Sequence, residues 1–157
     1  MRERRIRRSR RGELTLRLPA EERELLRGLP AQLRSLLDEE PDDPSLRRLF
    51  PPAYTHAPEH EAEYRRLMGD ELREKHLAAL AVLEETSDAE RLSEEQANSW
   101  LSAINDVRLV LGTRLDVSED MLEQDVDPSD PRAPALALYG YLSWLEEQMV
   151  EALASAY

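Results

Sequence analysis

Apolar residues recur along this chain at two different spacings. Residues 13–18 read Glu-Leu-Thr-Leu-Arg-Leu, which puts Leu14, Leu16 and Leu18 on one side and Glu13, Thr15 and Arg17 on the other. That period of two predicts a half-buried strand. Upstream, Ile6 sits among arginines, and Gly12 ends a Ser-Arg-Arg-Gly stretch where it is free to take a positive φ. The pattern predicts a short β-hairpin from residues 4–8 and 13–18. Its rival is an unstructured basic arm ending near residue 12. An isolated hairpin is marginal in water, so this one has to lie on the elements that follow.

From Pro19 onward the spacing becomes helical. Pro19 suits a first turn, with Glu21 and Glu22 at the positive end of the helix. Leu25, Leu26, Leu29, Leu33, Leu36 and Leu37 then form a stripe. Pro30 predicts a kink near Leu26 to Gly28, and the acidic run Asp38–Asp43 ends the element. Residues 44–49 have room for one helical turn, and the prolines at 51, 52 and 58 hold residues 50–58 as an extended loop. A second helix is expected over about 59–86, with Tyr64, Met68, Leu72, Ala79 and Leu83 inward and Gly69 a candidate break. Ser93 and Gln96 fit a capping box and start a third helix over about 94–115. An acidic connector, Asp116 to Asp130, leads to a fourth over about 131–155, striped by Leu138, Leu142, Leu145, Met149 and Leu153. The expected fold is mainly α: a helical bundle of about four long helices with a short N-terminal β-hairpin, in a single domain over residues 1–157.

Composition agrees with that class. Glycine is scarce at 5 residues and phenylalanine occurs once, leaving leucine and alanine, both strong helix formers, to build the core. No run approaches the roughly 18 apolar residues of a membrane span. Charge changes the picture more. Residues 1–12 hold seven arginines and one glutamate, while the rest holds 14 basic and 32 acidic side chains. The two parts therefore carry +6 and −18 of a net −12. The basic segment reads as an arm for an anionic partner, or as a strand held against the protein's own acids at Asp38–Asp43 and Asp116–Asp130. Paired arginines before Gly12 suggest a twin-arginine export signal, but the apolar stretch such a signal needs is interrupted by Arg17, Pro19, Glu21, Glu22, Arg23 and Glu24. The expected location is the cytoplasm.

Candidate chemistry is sparse. Cysteine is absent, which removes thiolate metal ligands, disulfides and a cysteine nucleophile from these 157 residues. No glycine-rich phosphate loop, Gly-x-Ser-x-Gly or His-Glu-x-x-His is found. His56 and His60 are four apart, but Pro58 separates them and no third ligand is well spaced, so no metal or other cofactor is expected. From Asp116 the sixth position is Met121, where a calcium loop needs glycine. The third helix is apolar on several sides, yet it carries Asn105, Asp106, Arg108 and Arg114. This candidate buried polar cluster is read either as an anion or ligand site centred on Arg108 and Asn105, or as a structural ion pair that keeps the bundle in register. Arg48, Phe50 and Tyr54 form a candidate recognition surface on the proline-stiffened loop, or else a plug capping the bundle. Trp144, with Tyr141 and Gln148, lies off the leucine stripe of the last helix, either as a homodimer seam or as packing under the hairpin.

Three stretches carry a resemblance. "LRRLFPPAY", "INDVRLVLGTRL" and "YGYLSWLEEQMVEAL" occur in the same order as in a family of small actinobacterial proteins, once a domain of unknown function and now bearing the name of the oxidative-stress regulator AosR. The resemblance runs from about residue 13 to 155 and contains no catalytic signature. It implies a cytoplasmic, non-enzymatic regulator of stress-responsive transcription whose partner is a sigma factor or RNA polymerase. The thiol switch attached to that name has no cysteine to act through here. The competing expectations are nucleic-acid binding through Arg4, Arg5, Arg7, Arg8, Arg10 and Arg11, and a small-ligand sensor or enzyme centred on Arg108. The arginine arm lacks interleaved aromatics for base stacking, so nucleic acid is the less favoured of the macromolecular partners.

Overall fold

The computed structural model describes residues 5–50, 58–116 and 128–155. Arg4, Tyr54, His56 and most of the acidic connector lie outside them, as do the side chains of Tyr64 and Met68. Ile6–Arg8 (β1) and Leu14–Leu16 (β2) form the hairpin, with Ile6 opposite Leu16, Arg7 opposite Thr15 and Arg8 opposite Leu14. The turn closes through the Ser9 amide on the Glu13 carbonyl at 2.7 Å, and Gly12 takes φ +85° as its place in the turn demands. A third strand, Arg91–Leu92 (β3), adds to β2 and completes an antiparallel sheet in the order β1-β2-β3. Two residues are too few to show a period, so this strand escapes any reading of the pattern. Ile6, Leu14, Leu16 and Leu92 point from the sheet into the core and are buried.

Four long helices follow: Ala20–Glu39 (α1), Pro58–Glu85 (α2), Glu94–Leu115 (α3) and Ala133–Ala154 (α4). A 3₁₀ turn at Pro44–Leu46 occupies part of the expected turn at 44–49. α1 runs unbroken through the buried Pro30, and α2 continues through Gly69. α3 is the central element, packed between α2 and α4. It begins with the capping box: the Gln96 amide donates to Ser93 Oγ at 3.1 Å, and the Ser93 amide donates to Gln96 Oε1 at 2.9 Å. Trp100, Ala103, Ile104, Val107 and Val110 bury its faces. Gly112 admits α4, since a Cβ there would meet the Tyr139 ring at 3.1 Å.

Hairpin and bundle share one hydrophobic core. Arg23 joins them in a way the pattern does not reveal. From α1 it donates to the carbonyls of Leu16 at the end of β2 and Leu18 just beyond it, and to those of Ser87 and Ala89 ahead of β3, at 2.6–3.2 Å. One guanidinium thus satisfies four backbone acceptors on two chain segments. Arg23→Ala is expected to lower stability by about 2 kcal/mol in urea unfolding, because these acceptors lose a charged donor. A loss below ~0.5 kcal/mol would show that water replaces it without cost.

Candidate functional site

The polar residues of α3 do not form one cluster. Successive helical residues rotate by about 100°, so Asp106 and Arg108 point to different neighbours. Asn105 and Arg108 are brought together: Arg108 Nη2 donates to Asn105 Oδ1 at 3.1 Å. Arg108 Nε lies 2.7 Å from Glu146 Oε2 on α4, an ion pair without hydrogen-bond alignment. Its guanidinium also sits over the Tyr139 ring, 5.9 Å from the centroid. Both charges are half-buried, and the pair clamps α3 to α4 as a structural ion pair would. Arg114 is exposed and turns away to the segment before α2, donating to Ser45 Oγ at 3.2 Å and to Asp43 Oδ2 at 3.4 Å. Asp43 caps the 3₁₀ turn, and the Ser45 hydroxyl and amide, then Arg114, hold its carboxyl below the ordinary carboxylate range.

Asp106 is the buried member, and its partner is a histidine that the sequence reading left unassigned. His76 Nδ1 lies 2.7 Å from Asp106 Oδ2, and His76 Nε2 lies 3.0 Å from the Leu49 carbonyl oxygen. Both neighbours are acceptors, so the ring fills both contacts only as an imidazolium that donates from each nitrogen. The hydrogen bond to Asp106 raises its pKa above the usual 6.5, with burial opposing and the Asp106 charge and the Leu49 carbonyl assisting. In that form the ring is a cross-link among α2, α3 and the segment before α2, with no lone pair left to accept a proton. Phe50 meets the imidazole edge-on at a centroid distance of 5.4 Å and packs against the core. His76 stands four residues after Leu72 and four before the buried Leu80, so its place on the inner stripe of α2 was a legible signal. Arg73 extends the same anchoring by donating to the Leu37 carbonyl at 3.1 Å and pairing with Asp38. Arg48 is exposed, with no ion pair among the described residues.

The N-terminal arginines divide into two sets. Arg5 pairs with Glu22 of α1, and its guanidinium lies over the Trp144 ring, 5.7 Å from the centroid. Trp144 is half-buried there, which is the packing-under-the-hairpin alternative for that residue. Arg8 donates to the Leu153 carbonyl at 2.8 Å and reaches Glu94 at 3.5 Å, placing a cation at the negative end of α4. Arg7, Arg10 and Arg11 are exposed. The basic strand is therefore held by Glu22, Glu94 and a helix terminus. Two acids of the 38–43 run that was expected to hold it pair with the bundle's own arginines instead, Asp38 with Arg73 and Asp43 with Arg114.

Clefts open on the bundle, two of them beside the polar residues of α3. One of about 270 Å³ is lined by Leu29, Leu33, Val107, Leu111, Arg114 and Leu138. A more polar one of about 620 Å³ runs between α2 and α3 past Lys75, His76, Glu95, Asn98, Ser102 and Asp106. Among the described residues no group of three or more His, Cys, Asp or Glu side chains is placed to hold a metal ion. None of the described helices is long and apolar enough to cross a membrane.

The model of the domain of unknown function DUF2017 matches residues 1–153. The chain belongs to the DUF2017 family. Among its curated relatives, the putative oxidative stress regulator AosR of Mycobacterium leprae (strain TN) is 30% identical over 152 residues, covering 86% of this chain and 68% of that protein. The oxidative stress regulators AosR of Mycobacterium tuberculosis (strain ATCC 25618 / H37Rv) and Mycobacterium bovis (strain ATCC BAA-935 / AF2122/97) are each 31% identical over 127 residues. There the match covers 70% of this chain and 58% of the relative, so it leaves two-fifths of those proteins unmatched. No solved structure matches this DUF2017 chain.

Proposed function

We propose that this DUF2017 protein is a non-enzymatic cytoplasmic regulator of stress-responsive transcription that works by binding a protein partner, a sigma factor or RNA polymerase. The observation that carries this reading is its similarity, over most of its length, to relatives named as oxidative stress regulators. The chemistry of the polar residues supports it. Arg108 is engaged by Glu146, Asn105 and Tyr139, and His76 by Asp106 and Leu49, so both serve the packing of helices rather than a reacting group. Nucleic-acid binding through the arginine arm has less support, because Arg5 and Arg8 are committed to this protein's own groups. Without cysteine, the regulation cannot depend on a thiol of these residues.

The test is direct binding of the immobilised full chain to purified actinobacterial sigma factors and to core RNA polymerase, with nuclease added. Saturable binding to one of them is expected. Absence of binding to every sigma factor and to the polymerase sinks the proposal.

A further inference from the structure

We infer that the outer face of the three-stranded sheet is a docking surface for a short acidic segment of a protein partner. This rests on the protein-binding reading above and gives it a place and a chemistry. Arg7, Thr15 and Arg91 stand side by side in register across β1, β2 and β3. Strands are spaced about 4.8 Å apart, so the two arginine Cα atoms are about 10 Å apart with the Thr15 hydroxyl between them. Arg17 lies two residues along from Thr15 and shares its face. Arg10 and Arg11 extend the charge around the hairpin turn. All five arginines are exposed, and none has an ion pair among the described residues. Arg5, Arg8, Arg23, Arg73 and Arg108, by contrast, are engaged by carboxylates or carbonyls of this protein. Arg17 and Arg91 come from outside the basic N-terminal segment, so the fold gathers a patch larger than the arm.

Charge complementarity selects an anion, and the patch dimensions select its length. The sheet strands are two and three residues long, room for a few carboxylates. Exposed Asp88 and Glu90 line the cleft that Thr15 and Arg17 also line, on a body that carries −18 outside residues 1–12. A duplex presents a negative charge about every 1.7 Å over many turns, so it would run from the arginines onto those acids. A short acidic peptide ends within the patch. Among the described residues, no aromatic side chain belongs to the sheet strands to stack a base.

Fluorescence anisotropy on the full chain tests this with a labelled tetraglutamate peptide and, separately, a labelled DNA duplex. The peptide is expected to bind at low salt and to be released as ionic strength rises. Arg7→Ala/Arg17→Ala/Arg91→Ala is expected to weaken it about tenfold, with an unchanged melting curve because all three side chains are exposed. Arg47→Ala removes exposed charge elsewhere and is expected to bind like the wild type. The inference is overturned if the triple variant binds the peptide as well as the wild type does, or if the duplex binds more tightly than the peptide. It is equally overturned if salt-sensitive self-association in sedimentation shows that a second copy's acidic body occupies the face. The peptide measurement contains no sigma factor or polymerase, so it stands or falls separately from the proposed function.

Discussion

Trp100→Ala is expected to lower the unfolding free energy by about 3–5 kcal/mol, a large part of the 5–15 kcal/mol that holds a typical domain. Trp100 is fully buried on α3, the helix that both α2 and α4 pack against. Its removal leaves a cavity between layers that cannot collapse without moving a helix. Its indole Nε1 also donates to Thr86 Oγ1 at 2.6 Å, and Thr86 Oγ1 donates in turn to the Val82 carbonyl at 2.5 Å. That chain closes the end of α2, just ahead of the segment leading to β3. Trp100→Phe separates the two contributions: it retains most of the volume and gives up the indole donor, for an expected loss of about 1–2 kcal/mol. Urea unfolding followed by far-UV circular dichroism measures both. A loss under ~1 kcal/mol for the alanine variant would mean that α3 is not the centre of the core.

Asp106→Ala is expected to cost about 2–3 kcal/mol and to change how stability depends on pH. In the wild type the His76 pKa is raised above 6.5 in the folded state. The stabilisation it supplies is therefore complete below pH 6.5 and is lost as pH rises through the folded value. Wild-type stability should show this decline on its alkaline side, and Asp106→Ala should lack it. Asp106 of α3 is the carboxylate hydrogen-bonded to the ring, while Lys75 and Glu95 line the same cleft. On deprotonation one of the two ring contacts loses its proton, so the link among α2, α3 and Leu49 opens at one arm. Unfolding free energies measured across that range, with the His76 ring followed by nuclear magnetic resonance, check the sign. Parallel pH curves for wild type and variant would refute the cross-link.

The architecture was legible because much of it depends on local periodicity. Leu14, Leu16 and Leu18 alternate, so the hairpin partner strand was visible, and Gly12 marked its turn. Ser93 and Gln96 announced the start of α3 to the residue, since a capping box is a contact across three positions. The polar residues of α3 were also visible as an anomaly on an apolar helix. Their partners were not. His76 and Asp106 are 30 residues apart, and Arg23 meets carbonyls up to 66 residues away. Nothing in a local pattern says which of many acids or carbonyls a given cation will reach.

The same division applies to the N-terminal arginines. Residue order alone places a concentrated positive segment ahead of an acidic helical body, makes the helices amphipathic, and leaves no thiol chemistry within these residues. Which arginines the body takes up depends on how the elements pack. Helix packing brings Glu22, Glu94 and the end of α4 beside Arg5 and Arg8, and it leaves Arg7, Arg10 and Arg11 facing outward. It also adds β3, which carries Arg91 from mid-chain into register with Arg7. Spacing along a chain specifies which side of an element a residue occupies, because that depends on backbone geometry alone. What stands opposite that side is set by how the apolar faces pack together, and the polar partners follow from that packing.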